Sequence, residues 1–241
     1  MIRHHFECGQ SAVTVICEED YIPKVRQAVI ECREIIIRHI EIDPFFATTY
    51  EPYVAESNDP VINRMSQASL ISNVGPMASV AGAIAEYAVK AAIQEGAQFI
   101  VIDNGGDIAL HTDRSITVGL HCGDPRLDRI GLRIEPCEGI LGICTSSGKI
   151  GPSISFGMAE ISTVISENVV LADALATHLG NLVKNGQKET LENALEQILR
   201  VKDIKSALVY ADGNFAMRGE LPDLVEVEPS PGLITKRVHV H

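Results

Sequence analysis

The chain has no tryptophan, and Phe, Trp and Tyr together make up 5% of its 241 residues. Basic residues are also few. Twenty Lys and Arg stand against 32 Asp and Glu, a formal net charge of −12, and no basic block appears. Phosphate-backbone binding needs clustered cations, so a nucleic-acid partner is excluded. Any phosphate would have to be held by a metal ion or by helix N-termini. No run of eighteen apolar residues occurs, and no basic start followed by an apolar stretch, so neither a membrane span nor a secretory leader is expected. A cytoplasmic location follows as the expectation. The six cysteines show no C-x-x-C spacing, which argues against a zinc or iron–sulfur cage and for reduced, mostly buried thiols.

What the chain does have is apolar material, 46% of its residues, ample for a sizeable core. Within it lie three polar islands. The first is Leu171-Ala172-Asp173-Ala174-Leu175-Ala176-Thr177, which sets a carboxylate and a hydroxyl on one face of an apolar helix, with Cβ atoms roughly 6 Å apart. A hard cation such as Mg²⁺ takes six oxygens at about 2.1 Å, and Asp173 with Thr177 reads as half of such a site. The same residues also suit a plain helix, with Asp173 capping its first turn and Thr177 bonding back to a carbonyl.

The second island follows the buried-strand pattern Phe99-Ile100-Val101-Ile102. It comprises Asp103, Asn104, Gly105, Gly106 and Asp107, whose glycines allow a ligand to approach the backbone closely or simply make a hairpin turn. The third follows Ile140-Leu141-Gly142-Ile143 and comprises Cys144, Thr145, Ser146, Ser147 and Gly148. Its small hydroxyl residues and exposed amides suit a phosphate or ribityl chain, and Cys144 at its mouth is open to stabilisation as a thiolate.

The order of these islands resembles a known family. An Ala-rich helix (Val80–Val89) precedes Asn104-Gly105-Gly106-Asp107, then Val118-Gly119-Leu120 with Asp124-Pro125, then Thr145-Ser146-Ser147-Gly148, then Ala172–Thr177. This is similar to the ApbE-like superfamily, whose founding activity is FAD:protein FMN transfer, over roughly residues 75 to 185. The resemblance implies an α+β fold, ApbE-like and T-fold-like, with a largely antiparallel sheet flanked by helices. It implies Asp173 and Thr177 as side-chain ligands of Mg²⁺. It also implies Asn104, Gly105, Gly106, Asp107, Thr145, Ser146, Ser147 and Gly148 as contacts for FAD or a related flavin nucleotide.

Two departures stand out. The family's Lys-Gly in the first helix falls on Ala85-Glu86, and its His-Ile-x-Asp-Pro segment is replaced by Gly151–Glu160. The chain thus resembles a smaller branch of the superfamily. Two activities follow as expectations: a Mg²⁺-dependent nucleotidyl (FMN-type) transferase, or a non-flavinylating partner in sulfur incorporation and homocysteine formation. The expected partners are a small-molecule nucleotide and, in the second case, a protein; a homo-oligomer is left open.

Periodicity supplies the remaining elements. A strand is expected at Val13–Cys17, and a helix beginning near Pro23 with Val25, Ala28, Val29, Cys32 and Ile36 on one face. Asp59-Pro60 signals a second helix to about Leu70, and Gly75-Pro76 breaks before a third that runs to about Glu95. Gly and Ala at 78–85 permit close approach of another backbone or a flat ring. Strands at 98–103, 107–111, 115–121, 130–135, 139–145 and 161–166, helices at 169–184 and 188–200, and a hairpin around Asp212-Gly213-Asn214 complete the reading. The alternation at Arg237–His241 favours a terminal strand over a metal-binding His cluster. No repeat or linker divides residues 1–241, which are read as one domain.

Overall fold

A computed structural model describes residues 1–148 and 157–228. Lys149, most of the Gly151–Glu160 stretch and the tail strand expected at 237–241 lie outside the described residues.

The architecture is α+β. Ten strands, in chain order, are β1 (Ile2–Cys8), β2 (Ser11–Cys17), β3 (Phe99–Asn104), β4 (Asp107–Thr112), β5 (Ile116–Gly119), β6 (Ile130–Ile134), β7 (Cys137–Ser146), β8 (Ile161–Ser166), β9 (Ile204–Ala211) and β10 (Asn214–Gly219), and an eleventh, β11, spans Asp223–Glu226. The helices are α1 (Ile22–Ile42), α2 (Phe45–Thr48), α3 (Pro60–Ser72), α4 (Val80–Gln94), α5 (Val169–Leu182) and α6 (Lys188–Leu199). Eight strands form one sheet in the order β1-β2-β3-β4-β7-β8-β9-β10, every neighbouring pair antiparallel, and β11-β6-β5 form a second.

Alternation within the central strands gives the large sheet two apolar faces. Ile100, Ile102, Ala109, Cys144 and Val164 face a core shared with the helices, while Val101, Leu110, Leu141, Ile143 and Ile165 face a second core shared with Leu120, Leu127 and Leu132 of the small-sheet region. A sheet apolar on both faces needs cover on both, and the helices and the three-stranded sheet provide it.

Local signals hold where the chemistry is specific. Asp59 caps α3, its carboxylate accepting from the Val61 amide at 2.8 Å, with Pro60 in the first turn. Asn73, left-handed at φ 53°, ends the helix. Four ion-paired or amide side chains lock the helical layer: the Arg64 guanidinium bridges to the buried Glu86 carboxylate and donates to Asn168 Oδ1 at 2.8 Å, and Lys90 reaches Glu86 from one turn on. Burial alone would raise the Glu86 carboxyl, but the Arg64 and Lys90 contacts hold it below the usual carboxylate range. The departure at Glu86 is thus a tie between α3, α4 and the start of α5.

All six cysteines are free, three buried and three half-buried. Among the described residues no single helix is long and apolar enough to cross a membrane.

Candidate functional site

The three polar islands meet at one end of the large sheet. The hairpin between β3 and β4 pairs Asn104 with Asp107 across only Gly105 and Gly106, both at positive φ (71° and 107°). A two-residue turn of this hand needs left-handed backbone at both positions, which glycine supplies at least cost. Asp107 lies directly opposite Cys144 on β7, so the two side chains share the helical face of the sheet.

Onto that face comes Asp173, in the second turn of α5. It is not the cap: Asn168 caps α5, accepting from the Leu171 amide at 3.2 Å. Asp173 instead points across to α4, where its Oδ2 accepts the Gly82 amide at 2.7 Å. The first amides of α4 have no intrahelical acceptors, and a carboxylate at that end satisfies them and meets the positive end of the helix dipole. Gly82 makes this approach feasible. A Cβ there would sit 2.8 Å from Asp173 Cβ and 3.0 Å from the Val169 carbonyl. The small residues at 78–85 therefore serve a close contact between α4 and α5 at Gly82. Asn104 adds a second tie, its side-chain amide donating to the Ala81 carbonyl at 3.1 Å.

Asp173 is buried, Asp107 is half-buried with its Oδ1 out of contact with solvent, and the two carboxyls are close enough to share a hydrogen bond. Burial raises the Asp173 carboxyl to about 7, against the opposing pull of the Gly82 amide and of Asp107. Asp107 is raised well above the usual carboxylate value, first by burial and then by the charges of Asp173 and Asp103. Two carboxylates in a dry site cannot both ionise cheaply. At neutral pH and without a cation the pair keeps a proton. Cys144, beneath it, is driven far up by burial and then by Asp107; its thiol donates to the Val169 carbonyl at 3.6 Å. That overturns the thiolate reading of Cys144, because a buried thiol beside two carboxyls is the reverse of an electropositive site.

Two polar atoms here are buried without a hydrogen-bond partner among the described residues, Asp107 Oδ1 and Ser146 Oγ. Orphaned buried acceptors are rare in folded proteins and call for a reason. Ser146 belongs to the same neighbourhood, since Ser162 Oγ donates both to its carbonyl (3.2 Å) and to the carbonyl of Ala176 (2.8 Å), the residue before Thr177. Thr177 is buried one turn beyond Asp173 on α5.

A divalent cation would fit this donor set. It would displace the shared proton, neutralise both carboxylates and give Asp107 Oδ1 a partner. Among the described residues no group of three or more His, Cys, Asp and Glu gathers for a metal. Mg²⁺ does not require one, because it is commonly held by one or two carboxylates with water and substrate phosphates.

The remaining expected residues divide. Thr145 turns to the opposite face of the sheet, where its hydroxyl pairs with Thr163 at 2.8 Å. The Ser147 hydroxyl donates to the Glu160 carbonyl at 2.7 Å, and the Gly148 amide donates to the Ala159 carbonyl at 3.2 Å. Gly148 is needed there, since a Cβ would lie 2.7 Å from that carbonyl. The structure thus joins Asn104, Asp107, Ser146, Asp173 and Thr177, and leaves Thr145 outside. Sequence reasoning missed the amides of Ala81 and Gly82. It also separated Asp107 from Asp173, although an Asp directly after a strand-linking turn and an Asp in an apolar helix are both residues that burial must compensate.

Solved structures share the fold: the flavin transferase ApbE from Vibrio cholerae aligns with a TM-score of 0.58 at 12% identity, over 90% of this chain and 96% of that one. The flavinyl transferase ApbE of Pseudomonas stutzeri aligns at 0.55 and 14%, over 90% and 94%. The chain belongs to the family described as AbpE bacteria, whose family model matches residues 2–217. It is similar along its length to proteins named UPF0280: 41% identical over 237 residues to that of Methanosarcina acetivorans (98% of this chain, 93% of the relative), and 41% over 239 residues to that of Archaeoglobus fulgidus (98% and 100%).

Proposed function

We propose that this protein binds FAD or a related flavin nucleotide together with Mg²⁺ and transfers a nucleotidyl, FMN-type, group. The observation that carries the reading is the Asp107–Asp173 pair at the N-terminus of α4, with its buried, orphaned Asp107 Oδ1. Asp107, Asp173 and Thr177 would hold the metal, and bound Mg²⁺ supplies charge neutralisation on a pyrophosphate as its bond breaks. The chain's own contribution is positional. Gly82 and Ala81 fix the Asp173 carboxylate, Asn104 fixes the glycine hairpin against α4, and the hairpin leaves open space in front of Gly105, where a Cβ would meet nothing within 4 Å. A dry, preorganised pair of acceptors needs no rearrangement to receive a cation. With a net charge of −12, the metal and the helix N-terminus are the means of attracting a phosphate group. Residues 1–241 act as one unit in this reading, in the cytoplasm, on a small-molecule nucleotide.

Mass spectrometry of protein purified under native conditions tests it. A co-purifying flavin nucleotide, lost from Asp173→Asn protein, is the expected result. Absence of flavin combined with no flavin uptake from added FAD and Mg²⁺ overturns it.

A further inference from the structure

The start of α5 is held from three sides. On the sheet, Gly142 of β7 makes room for it, since a Cβ there would lie 2.9 Å from Val169 Cα. On α4, Gly82 admits both the Val169 carbonyl and Asp173. From α3 comes Arg64, whose guanidinium donates to Asn168 Oδ1 at 2.8 Å and to Glu86 Oε2 at 2.9 Å. Asn168 is the cap of α5, and the Oδ1 that Arg64 grips is the atom that accepts the Leu171 amide. The Asn168 amide donates to Ser166 Oγ at 3.0 Å, and the Ser166 hydroxyl donates to the Asp203 carbonyl at 2.8 Å, which anchors the cap to the end of β8.

Together these contacts close a ring. Gly82 and Glu86 stand four residues apart and share one face of α4. Asn168 and Asp173 bracket the first turns of α5. At one end of the ring Asp173 accepts the Gly82 amide at 2.7 Å; at the other, Arg64 joins Glu86 to Asn168. A helix advances about 1.5 Å per residue as a stiff rod, so a slip of the cap is passed on to Asp173.

Cohesion alone is a poor account of Glu86. Packed apolar residues in place of a buried ion pair are often neutral or stabilising, and Lys90 already supplies Glu86 with a cation. What Arg64 adds is geometry: its planar fork fits two acceptors in one arrangement, which an ammonium does not impose.

We propose that Arg64 is a positioning residue, setting the register of α5 on α4 and thereby seating the Asp173 carboxylate on the Gly82 amide. On the cation-site reading above, this seating presents Asp173 to the metal.

The test uses the full chain without flavin and the double variant Arg64→Met with Glu86→Gln, which removes the fork without leaving a buried charge. Gly82 lies in the first turn of α4, whose amides lack intrahelical acceptors, so its protection from hydrogen exchange reports the bond to Asp173. By NMR, the Gly82 amide should exchange at least tenfold faster in the variant, while the amides of Ala88 and Val89 change less than threefold. Mn²⁺, which takes the same oxygen ligands as Mg²⁺, should bind the variant at least fivefold more weakly, read from the paramagnetic resonance of the free ion. Should the double variant not fold, Arg64→Lys, which keeps a charge for Glu86 and loses the fork, should show the same selective loss at Gly82. Unchanged Gly82 protection overturns the proposal. So does a loss spread evenly along α4, which would mark Arg64 as a general stabiliser, or undiminished Mn²⁺ affinity in a variant that has lost the Gly82 protection. Absence of Mn²⁺ uptake by the wild type would refute the cation reading alone, because the exchange measurement needs no metal.

Discussion

Replacing Asp173 by Asn should stabilise the metal-free protein at alkaline pH while abolishing its response to Mg²⁺. In the fold the Asp173 carboxyl is raised to about 7 from the ordinary 3.8. That difference corresponds to about 4 kcal/mol, at 1.36 kcal/mol for each unit. The sign follows from proton counts. Between pH 4 and 7 the unfolded chain has released this proton and the native state still holds it, so native stability falls as pH rises through that window and levels off above it. Asparagine removes the penalty, keeps an oxygen for the Gly82 amide and loses the charge-assisted part of that bond, worth roughly 1–2 kcal/mol. The net expectation for Asp173→Asn at pH 8 in chelator is a gain of about 2 kcal/mol, or roughly 4–8 °C in Tm for a chain of this size. Near pH 4 the gain should vanish. Thermal melts at several pH values, with EDTA and with Mg²⁺, read both effects. A variant equally destabilised at pH 4 and pH 8 would refute the reasoning, since it would mean that no ionisation penalty sits on this carboxyl.

Other residues give further expectations. Gly82→Ala forces α4 and α5 apart by placing a Cβ 2.8 Å from that of Asp173; urea denaturation should show a loss of about 1–3 kcal/mol, and the Mg²⁺ increment in Tm should shrink with it. Gly106→Ala strains a position at φ 107° and should weaken FAD binding at least tenfold, about 1.4 kcal/mol, while costing less than that in folding free energy; normal binding by a destabilised variant would make the hairpin purely structural. Arg64→Met leaves the buried Glu86 carboxylate with Lys90 alone and should cost about 3 kcal/mol, recovered in large part by the double replacement with Glu86→Gln.

Much of the fold is legible because its signals are local. The Asp59-Pro60 start of α3, the Gly75-Pro76 break and the Asp212-Gly213 turn are each dictated by residues adjacent in the chain, and the strands from Phe99 to Ser166 begin and end close to where apolar runs meet turn residues. Three elements were not foreseen. The hairpin partner β1 is an edge strand whose alternating pattern is blurred by the charged and histidine residues Arg3, His4, His5 and Glu7, α2 is a single turn, and β11 is a four-residue pairing onto the small sheet. Short edge elements draw their stability from the neighbour they pair with, which sequence periodicity does not contain. The division into two sheets was likewise invisible, because it depends on which of several antiparallel strands find each other.

The site shows the same split. Asp173 and Thr177 stand out because polar residues in an apolar helix are conspicuous. Their meeting with Asp107 and the start of α4 is a long-range event. It brings residue 82 to residue 173, and nothing in either segment names the other. Thr145 went astray for a simpler reason: strand alternation sends Cys144 and Ser146 to one face and Thr145 to the other, and register decides which face carries the chemistry.

On the proposed reading the carboxylate pair is a cation site serving a flavin nucleotide. Titrating FAD by its fluorescence against wild-type and Asp173→Asn protein, each in EDTA and in Mg²⁺ at pH 8, tests it most directly. Mg²⁺ should tighten FAD binding to the wild type at least tenfold and leave the variant unchanged. Equal FAD affinity in all four titrations, or an undiminished Mg²⁺ effect in the variant, would contradict it.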